Sequence, residues 1–217
     1  ISMTRLMEML ISRLNQLSPK RMILNFFGPP IYHAAISEEF LSMLKDIASK
    51  SINGKHCGYD LAGNIQIQND AVVDDKSTFK KFVGHHLSEF LSECSMGQGN
   101  FTYHLGNGPW INYMKKHEFN PLHTHDGVLS AVIFIDVPEE IAKEKTQWEG
   151  KTNCPSAGEL EFVHIKYAFN TGHAKVTPVT GDMYMFPAEM PHTVYPYSSD
   201  VTRISMSFNI FDLQFSE

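Results

Sequence analysis

The stretch that decides the fold is 121-PLHTHDGVLSAVIFIDVP-138, in which two alternating histidines stand directly before a long apolar run. Residues 129–137 are almost wholly apolar and rich in β-branched side chains, which predicts a strand buried on both faces. Side chains two residues apart in an extended chain share a face, so His123 and His125 project together while Thr124 points away. The pattern predicts a pair of imidazoles anchored to the core, which gives the rigidity that a metal site needs.

A third histidine follows a stiff segment further along the chain. Residues 181–186 predict a tight Gly-Asp turn and a short apolar strand. Two prolines, Pro187 and Pro191, then stiffen the bend that presents His192. Together with the first pair, this residue completes three imidazoles that leave other positions of a metal open. Imidazole suits iron, zinc, copper and nickel, so the ligand type alone does not decide the metal.

The strand predicted near the C-terminus has one polar and one apolar face. The residues of its polar face are Arg203, Ser205, Ser207 and Asn209. We expect this face to line the interior of a barrel. Because a buried, unpaired guanidinium is strongly unfavourable, Arg203 must meet either an internal carboxylate or the carboxylate of a ligand. The planar guanidinium of arginine can donate two parallel hydrogen bonds to a carboxylate, and the hydroxyl of Ser205 can donate a third.

Asn112 and Tyr113 lie on a predicted strand that would neighbour the histidine pair. Either the phenol or the amide can reach the polar site. Alternation turns the two side chains to opposite faces unless a bulge intervenes, so the pattern leaves the choice open.

The order of elements predicts a mainly β protein with flanking helices. Apolar side chains recur at helical spacing in residues 6–17, 37–49 and 77–93. A strand is predicted at 22–27, and the polar segment 53–75 is predicted to be a loop with room for one strand. The remaining predicted strands are 101–105, 110–115, 122–125, 129–136, 158–167, 174–178, 182–187, 192–195 and 203–211.

Regular short strands bounded by glycine and proline predict a jelly roll, the double-stranded β-helix shared with cupins. We expect one structural domain, in which an N-terminal helical part, 1–100, packs on the sheet of a jelly-roll catalytic core, 101–217. The charged segment 139–155 is predicted to be a loop between strands, and the segment 58–65 to be a surface loop rather than a lip of the active site.

Composition narrows the functional classes. The chain has 217 residues, of which 42% are hydrophobic and 19% charged, as in an ordinary globular protein. A net charge of −6 without a basic stripe disfavours nucleic acid as a partner. No apolar run approaches the roughly 18 residues of a membrane span, and no signal-peptide layout is present, so we expect a cytoplasmic protein. The three cysteines, which are odd in number and far apart, predict no disulfide framework.

Taken together, these residues resemble the iron(II)- and 2-oxoglutarate-dependent oxygenase superfamily, and in detail its prolyl-4-hydroxylase-like branch. The resemblance covers roughly Trp110 to Phe211. It comprises the Asn112-Tyr113 strand, the His-x-His pair, the strand 158–162, Gly181-Asp182 leading to His192, and Arg203-x-Ser205. The earlier segment 25–32 is similar to the opening of a small set of uncharacterised bacterial and phage oxygenases.

The resemblance implies a metal centre, a cosubstrate site and a reaction. It implies iron(II) held by His123, His125 and His192, and 2-oxoglutarate bound through its distal carboxylate by Arg203 and Ser205, with help from Tyr113 or Asn112. It further implies that O2 is consumed, that succinate and CO2 are released, and that a C–H bond of a small-molecule or protein substrate is hydroxylated. The branch suggests a prolyl residue as the substrate. No side chain beyond the metal ligands is expected to act catalytically.

One position departs from the pattern of the superfamily, whose first motif is mostly His-x-Asp or His-x-Glu. Here His125 occupies the second position, and we expect three histidine ligands, with Asp126 as the alternative third ligand.

Two other classes of function remain open at this stage. The first is a cupin-type metalloenzyme, but Leu129 stands where cupins normally have a glutamate. The second is a non-catalytic jelly-roll binding module. The predicted first helix also permits a homodimer.

Overall fold

The computed structural model of the chain describes residues 22–24, 28–94, 100–106, 108–165 and 172–216. The predicted helix over 6–17 lies outside these ranges, as do residues 25–27 of the first predicted strand and residues 166–167 of the strand predicted at 158–167. The segment 97–99, whose two glycines are expected to end the helix predicted at 77–93, also lies outside them.

The described elements alternate short strands with three helices. The strands are β1 (Met22–Leu24), β2 (Ile31–Ala35), β3 (Gln68–Asp70), β4 (Asn100–Leu105), β5 (Trp110–Met114), β6 (Asn120–His123), β7 (Leu129–Asp136), β8 (Leu160–Val163), β9 (His173–Val176), β10 (Asp182–Pro187), β11 (His192–Val194) and β12 (Arg203–Ser216). The helices are α1 (Glu38–Ser51), α2 (Lys76–Glu93) and α3 (Glu139–Gln147), and a short 3-10 turn covers Gly58–Asp60.

The strands form two antiparallel sheets that face each other. The larger has eight strands in the order β1-β2-β10-β7-β12-β5-β3, with β4 paired to β12, and the smaller has four in the order β6-β11-β8-β9. This is the predicted double-stranded β-helix with flanking helices, and the fold prediction is confirmed.

Strand β7 shows why the long apolar run has two buried faces. Ile133 and Ile135 pack outward with residues of α1 and α2, whereas Phe134 packs inward with residues of the smaller sheet. Strand β10 divides in the same way, with Met183 outward and Tyr184 inward. The large sheet is therefore covered by helices on one side and by the second sheet on the other, as its continuous apolar pattern predicts.

Two of the three predicted helices lie within the described residues, and both are confirmed. Ser37 caps α1 by accepting a hydrogen bond from the Phe40 backbone N–H at 3.2 Å. Helix α2 begins one residue earlier than predicted, because Asp75 rather than Ser77 provides its cap by accepting from the Thr78 N–H at 3.0 Å.

Three expectations about secondary structure are corrected. Part of the segment 139–155, predicted as a loop, forms α3, whose buried Ile141 anchors it to the inter-sheet core. The N-terminal part, predicted as mainly helical, contributes three strands to the large sheet. Strand β1 lies within the strand predicted at 22–27 and β3 within the loop 53–75, whereas β2 was not predicted. Strand β6 ends at His123, so His125 lies beyond the strand rather than within it.

Candidate active site

The structure brings His123, His125 and His192 together. Their closest ring nitrogens all lie within 4.8 Å of one another, and the ring centroids of His123 and His192 are 4.2 Å apart. Among the described residues, this is the one group of three or more histidine, cysteine or acidic side chains with the spacing of a metal site. Asp126 lies outside the group, although it follows His125 directly.

Strand pairing positions two of the histidines, and a loop contact positions the third. His123 on β6 and His192 on β11 are direct cross-strand partners. His125 follows the end of β6, and its backbone N–H donates to the carbonyl of Ala188 at 2.9 Å. The predicted convergence of the pair is therefore observed, but it depends on this loop contact and not on strand alternation.

Hydrogen bonds select the tautomer of two of the rings. The Nδ1–H of His123 donates to the carbonyl of Pro121 at 2.7 Å, and that of His192 to the carbonyl of Met190 at 2.9 Å. With the proton on Nδ1, the lone pair of a neutral imidazole lies on Nε2, the arrangement that second-sphere carbonyls impose on metal-binding histidines.

Burial keeps the three imidazoles uncharged at neutral pH. Burial, with a smaller contribution from the neighbouring His123, lowers the pKa of His192 to about 3 and that of His125 to about 4. The pKa of His123 is also lowered by burial, although the Pro121 carbonyl partly offsets the effect. Neutral imidazole is the form that binds a metal, so the cluster needs no deprotonation to act as a ligand set.

Arg203 lies in the same cavity as the histidines and is almost wholly buried, with 3% of its surface exposed. Its guanidinium donates to the carbonyl of Gly158 at 2.7 Å and to the sulfur of Met114 at 2.8 Å, and it stacks over the ring of Phe134 at 5.4 Å. Its Nε has no hydrogen-bond partner within the described ranges. Burial lowers its pKa to about 10, so the side chain stays charged at neutral pH.

The internal salt bridge considered for Arg203 is not found in the part of the chain that the structure describes. No carboxylate there pairs with the guanidinium, and Arg203 is the one side chain lining the cavity with a formal charge at neutral pH. A buried cation without an anion is unfavourable by several kcal/mol. The carboxylate of a ligand is the remaining partner of the two considered.

The choice between Asn112 and Tyr113 is decided by strand β5. Asn112 lines the cavity and is the cross-strand partner of Ser205 on β12. Tyr113 points to the opposite face, where its hydroxyl donates to the carbonyl of Ala48 in α1. The expectation that Tyr113 helps to bind a cosubstrate is therefore wrong.

One polar residue of the cavity, Gln68, had no signal in the sequence. It lies on β3 opposite Asn112, and its Nε2 donates to the Asn112 side-chain oxygen at 2.9 Å. Only the pairing of β3 with β5 brings it there. The loop after the 3-10 turn also contributes Leu61 and Gly63 to the wall of the cavity, so the segment 58–65 is part of the site rather than a plain surface loop.

The donor set fits iron(II) and 2-oxoglutarate. Three neutral nitrogen donors suit a divalent iron ion and leave positions for other ligands. The unpaired Nε and the terminal nitrogens of Arg203, together with the Ser205 hydroxyl, are donors that can bind a carboxylate in the same cavity. The cavity thus offers ligand atoms for a metal and donors for an anion, and it contains no competing acidic residue among its described lining.

Comparisons with known proteins agree with this chemistry. Residues 108–209 match the model of a family described as putative 2OG-Fe(II) oxygenase. No curated protein sequence matches the chain significantly.

Solved structures share the fold at low sequence identity. A prolyl hydroxylase from Trichoplax adhaerens, solved with a peptide fragment of a hypoxia-inducible factor, aligns at a TM-score of 0.51 and 15% identity over 96% of this chain and 90% of its own. AviO1 from Streptomyces viridochromogenes Tue57 aligns at 0.52 and 13% identity over 87% and 92%. HygX from Streptomyces hygroscopicus, solved with nickel, 2-oxoglutarate and hygromycin B, aligns at 0.51 and 8% identity over 83% and 82%.

The fold is a double-stranded β-helix, and the part of it formed by residues 108–209 matches an oxygenase family. The matched segment, residues 108–209, is similar to the iron(II)- and 2-oxoglutarate-dependent oxygenases, and this similarity implies Fe(II) as cofactor and 2-oxoglutarate as cosubstrate. The family implies a reaction that uses O2 and a further substrate. The match favours this class over the cupin and the non-catalytic module.

Proposed function

We propose that this protein is an oxygenase that holds iron(II) with its three clustered histidines and 2-oxoglutarate with Arg203 and the polar residues near it in the same cavity, and that it hydroxylates a C–H bond. The proposed metal ligands are His123, His125 and His192, and the proposed cosubstrate residues are Asn112, Arg203 and Ser205. One observation carries the proposal: a buried, charged guanidinium without a carboxylate partner among the described residues shares a cavity with three neutral imidazoles.

The chain itself supplies orientation and exclusion of water. When bound, iron(II) supplies the oxygen activation by which 2-oxoglutarate is converted to succinate and CO2 and the substrate is oxidised. Arg203 is suited to hold the distal carboxylate because the Gly158 carbonyl already fixes its guanidinium from one side. Val132, Phe134 and Leu160 line the cavity as apolar walls, which keep water from the reacting groups.

The proposed role of His125 replaces the carboxylate that most members of the superfamily use. Asp126 is not retained as the third ligand, because it stands outside the histidine cluster and lines a neighbouring cavity instead. Three imidazoles leave the centre with one more positive charge than two imidazoles and a carboxylate. We expect this difference to strengthen the binding of an anionic chelate such as 2-oxoglutarate.

The substrate proposed first is a prolyl residue of a protein, as the resemblance to the prolyl-4-hydroxylase-like branch suggests, with a small molecule as the alternative. Cytoplasmic localisation and a homodimer stay predictions. No helix in the described ranges is long and apolar enough to cross a membrane.

The experiment that tests the proposal is a titration of the iron(II)-loaded protein with 2-oxoglutarate in the absence of oxygen. A saturable visible charge-transfer band is expected, because the keto acid chelates the iron. The matched control is Arg203→Met, which should retain iron but need a much higher 2-oxoglutarate concentration. Iron binding without any band in the unmodified protein would contradict the proposed cosubstrate site.

A further inference from the structure

A second cavity opens beside the proposed metal centre and shares part of its wall. Leu61, Trp110 and His125 line both cavities, so a molecule in the second one would lie next to the proposed iron ligands. The volume of the second cavity is about 260 Å³, close to the lower end of the range for small-molecule sites. This position suits the part of a substrate that flanks the reacting carbon.

The two cavities have opposite electrostatic character. Arg203 is the one formally charged residue lining the inner cavity, whereas Asp60, Asp70 and Asp126 line the outer one. No lysine or arginine is among the described residues of the outer wall. Lys55 reaches Asp70 at 3.6 Å, but the carboxylates of Asp60 and Asp126 have no ion-pair partner in the described ranges.

Unsatisfied acceptors point to a ligand rich in hydrogen-bond donors. Gln68 is 2% exposed and lines the inner cavity, and its Oε1 accepts no hydrogen bond from the described residues. The buried Oδ1 of Asn209, on the wall of the outer cavity, likewise lacks a donor there. The 2-oxoglutarate dianion has no N–H or O–H group, so it cannot satisfy either acceptor. Because no donor among the described residues reaches either atom, water or the primary substrate can supply one.

We propose that the outer cavity receives a protonated amine or guanidinium of the primary substrate, bound by Asp60 and Asp126 beside the indole of Trp110. Carboxylates supply charge-assisted hydrogen bonds to such a group, and an indole face favours a cation over a neutral group. The substrate is therefore cationic, and its positive charge lies beside the carbon that is hydroxylated. This inference rests on the proposed function of the neighbouring metal centre.

The test measures binding of matched probes to the protein loaded with iron(II) and 2-oxoglutarate without oxygen. The peptide pair is acetyl-Pro-Lys-amide and acetyl-Pro-norleucine-amide, which differ in the terminal ammonium, and spermidine serves as a non-peptide cation. Calorimetry and the change in the charge-transfer band both report binding. We expect the lysyl peptide or spermidine to bind at least about tenfold more tightly than the norleucyl peptide. Tight binding of the lysyl peptide would identify a peptide as the source of the charge, whereas tight binding of spermidine would identify a small amine.

The double variant D60N/D126N should lose about tenfold in affinity for the cationic probe, since two partly exposed ion pairs are removed. Asp46→Asn, on the exposed face of α1, is the matched control and should bind the probe unchanged. Cationic probes that bind no more tightly than the neutral peptide, or that bind D60N/D126N as well as the original protein, would overturn the inference. Absence of the 2-oxoglutarate band would instead overturn the proposed function, so the two failures are distinguishable.

Discussion

His123 and His192 face each other as direct partners across β6 and β11, with their ring centroids 4.2 Å apart. The two strands are joined by backbone hydrogen bonds, and each ring is further held by a carbonyl two residues earlier in the chain. Two proposed ligand atoms are therefore positioned by rigid elements before any metal binds. Such preorganisation raises metal affinity because little ordering entropy remains to be lost on binding.

Replacing His192 with alanine should abolish stoichiometric iron binding. The substitution removes one of three proposed ligands, and we expect the affinity for iron(II) to fall by at least about a hundredfold, more than the loss typical of a second-sphere residue. Metal analysis after equilibrium dialysis measures the effect. The exposed His104 on β4 provides the control, because His104→Ala should bind iron normally. Retention of one iron per chain by His192→Ala would exclude His192 as a ligand.

Replacing Arg203 with lysine should weaken 2-oxoglutarate binding while leaving iron binding intact. Lysine keeps the charge but cannot form the two parallel hydrogen bonds of the guanidinium. The loss of one charge-assisted bond corresponds to about 1.5–3 kcal/mol, or roughly a 10- to 150-fold higher dissociation constant. The anaerobic charge-transfer titration measures this constant. An unchanged value would place the carboxylate site elsewhere in the cavity.

Replacing Tyr113 with phenylalanine should affect stability and not the cosubstrate. The Tyr113 hydroxyl donates to the Ala48 carbonyl on the helix-covered face, so its removal should lower the free energy of unfolding by about 1 kcal/mol. The dissociation constant of 2-oxoglutarate should stay within about twofold, since a buried hydroxyl on the far face touches no ligand. Asn112→Ala is the contrasting variant and should weaken 2-oxoglutarate. The reverse pattern would show that Tyr113 turns inward in solution.

The carboxylate of Glu144 should make a pH-dependent contribution to stability. It accepts from the backbone N–H groups of Ser198 and Ser199 and from the Ser199 hydroxyl, tying α3 to that turn. Burial alone would raise its pKa, but these hydrogen bonds outweigh burial, and the net pKa lies below the ordinary value of 4.5. Because the folded state holds the proton less tightly, the contribution is present above about pH 4.5 and disappears as the pH falls through the lowered pKa.

Urea unfolding at pH 7, 5 and 3.5 tests this expectation. Glu144→Gln should be about 1 kcal/mol less stable than the unmodified protein at pH 7, and the difference should shrink at pH 3.5. The neighbouring Glu140, which is exposed on the same helix, gives the control variant Glu140→Gln. A difference for Glu144→Gln that does not change with pH would mean that the charge of the carboxylate contributes nothing.

Local patterns predicted much of the architecture. Strands β7 and β10 have the bounds that their apolar runs indicated, and α1 begins at Glu38, one residue after the predicted start. The three histidines could be identified because two of them are two residues apart and the third follows a bend that contains prolines, and both features are visible in the sequence. Strand β2 was missed because its partners, β1 and β10, lie on either side of it only after folding.

The faces of the strands and the partners of buried groups required the tertiary structure. Alternation divides β5 into two faces, but only the docking of α1 shows that Tyr113 faces the helices and Asn112 the cavity. Gln68 enters the cavity through a pairing with β5 across more than forty residues of chain.

The sequence by itself determined the fold class, the three candidate ligands and the need of Arg203 for an anion, because periodicity and charge are local properties. Only the tertiary structure decided that no described carboxylate meets Arg203 and that His125 is held by Ala188 beyond the end of its strand. It alone also placed Asp60 and Asp126 on the wall of one cavity. These relationships depend on which strands and loops meet in space. Such non-local pairing produces no periodic pattern in the sequence, so it could not be predicted from the sequence.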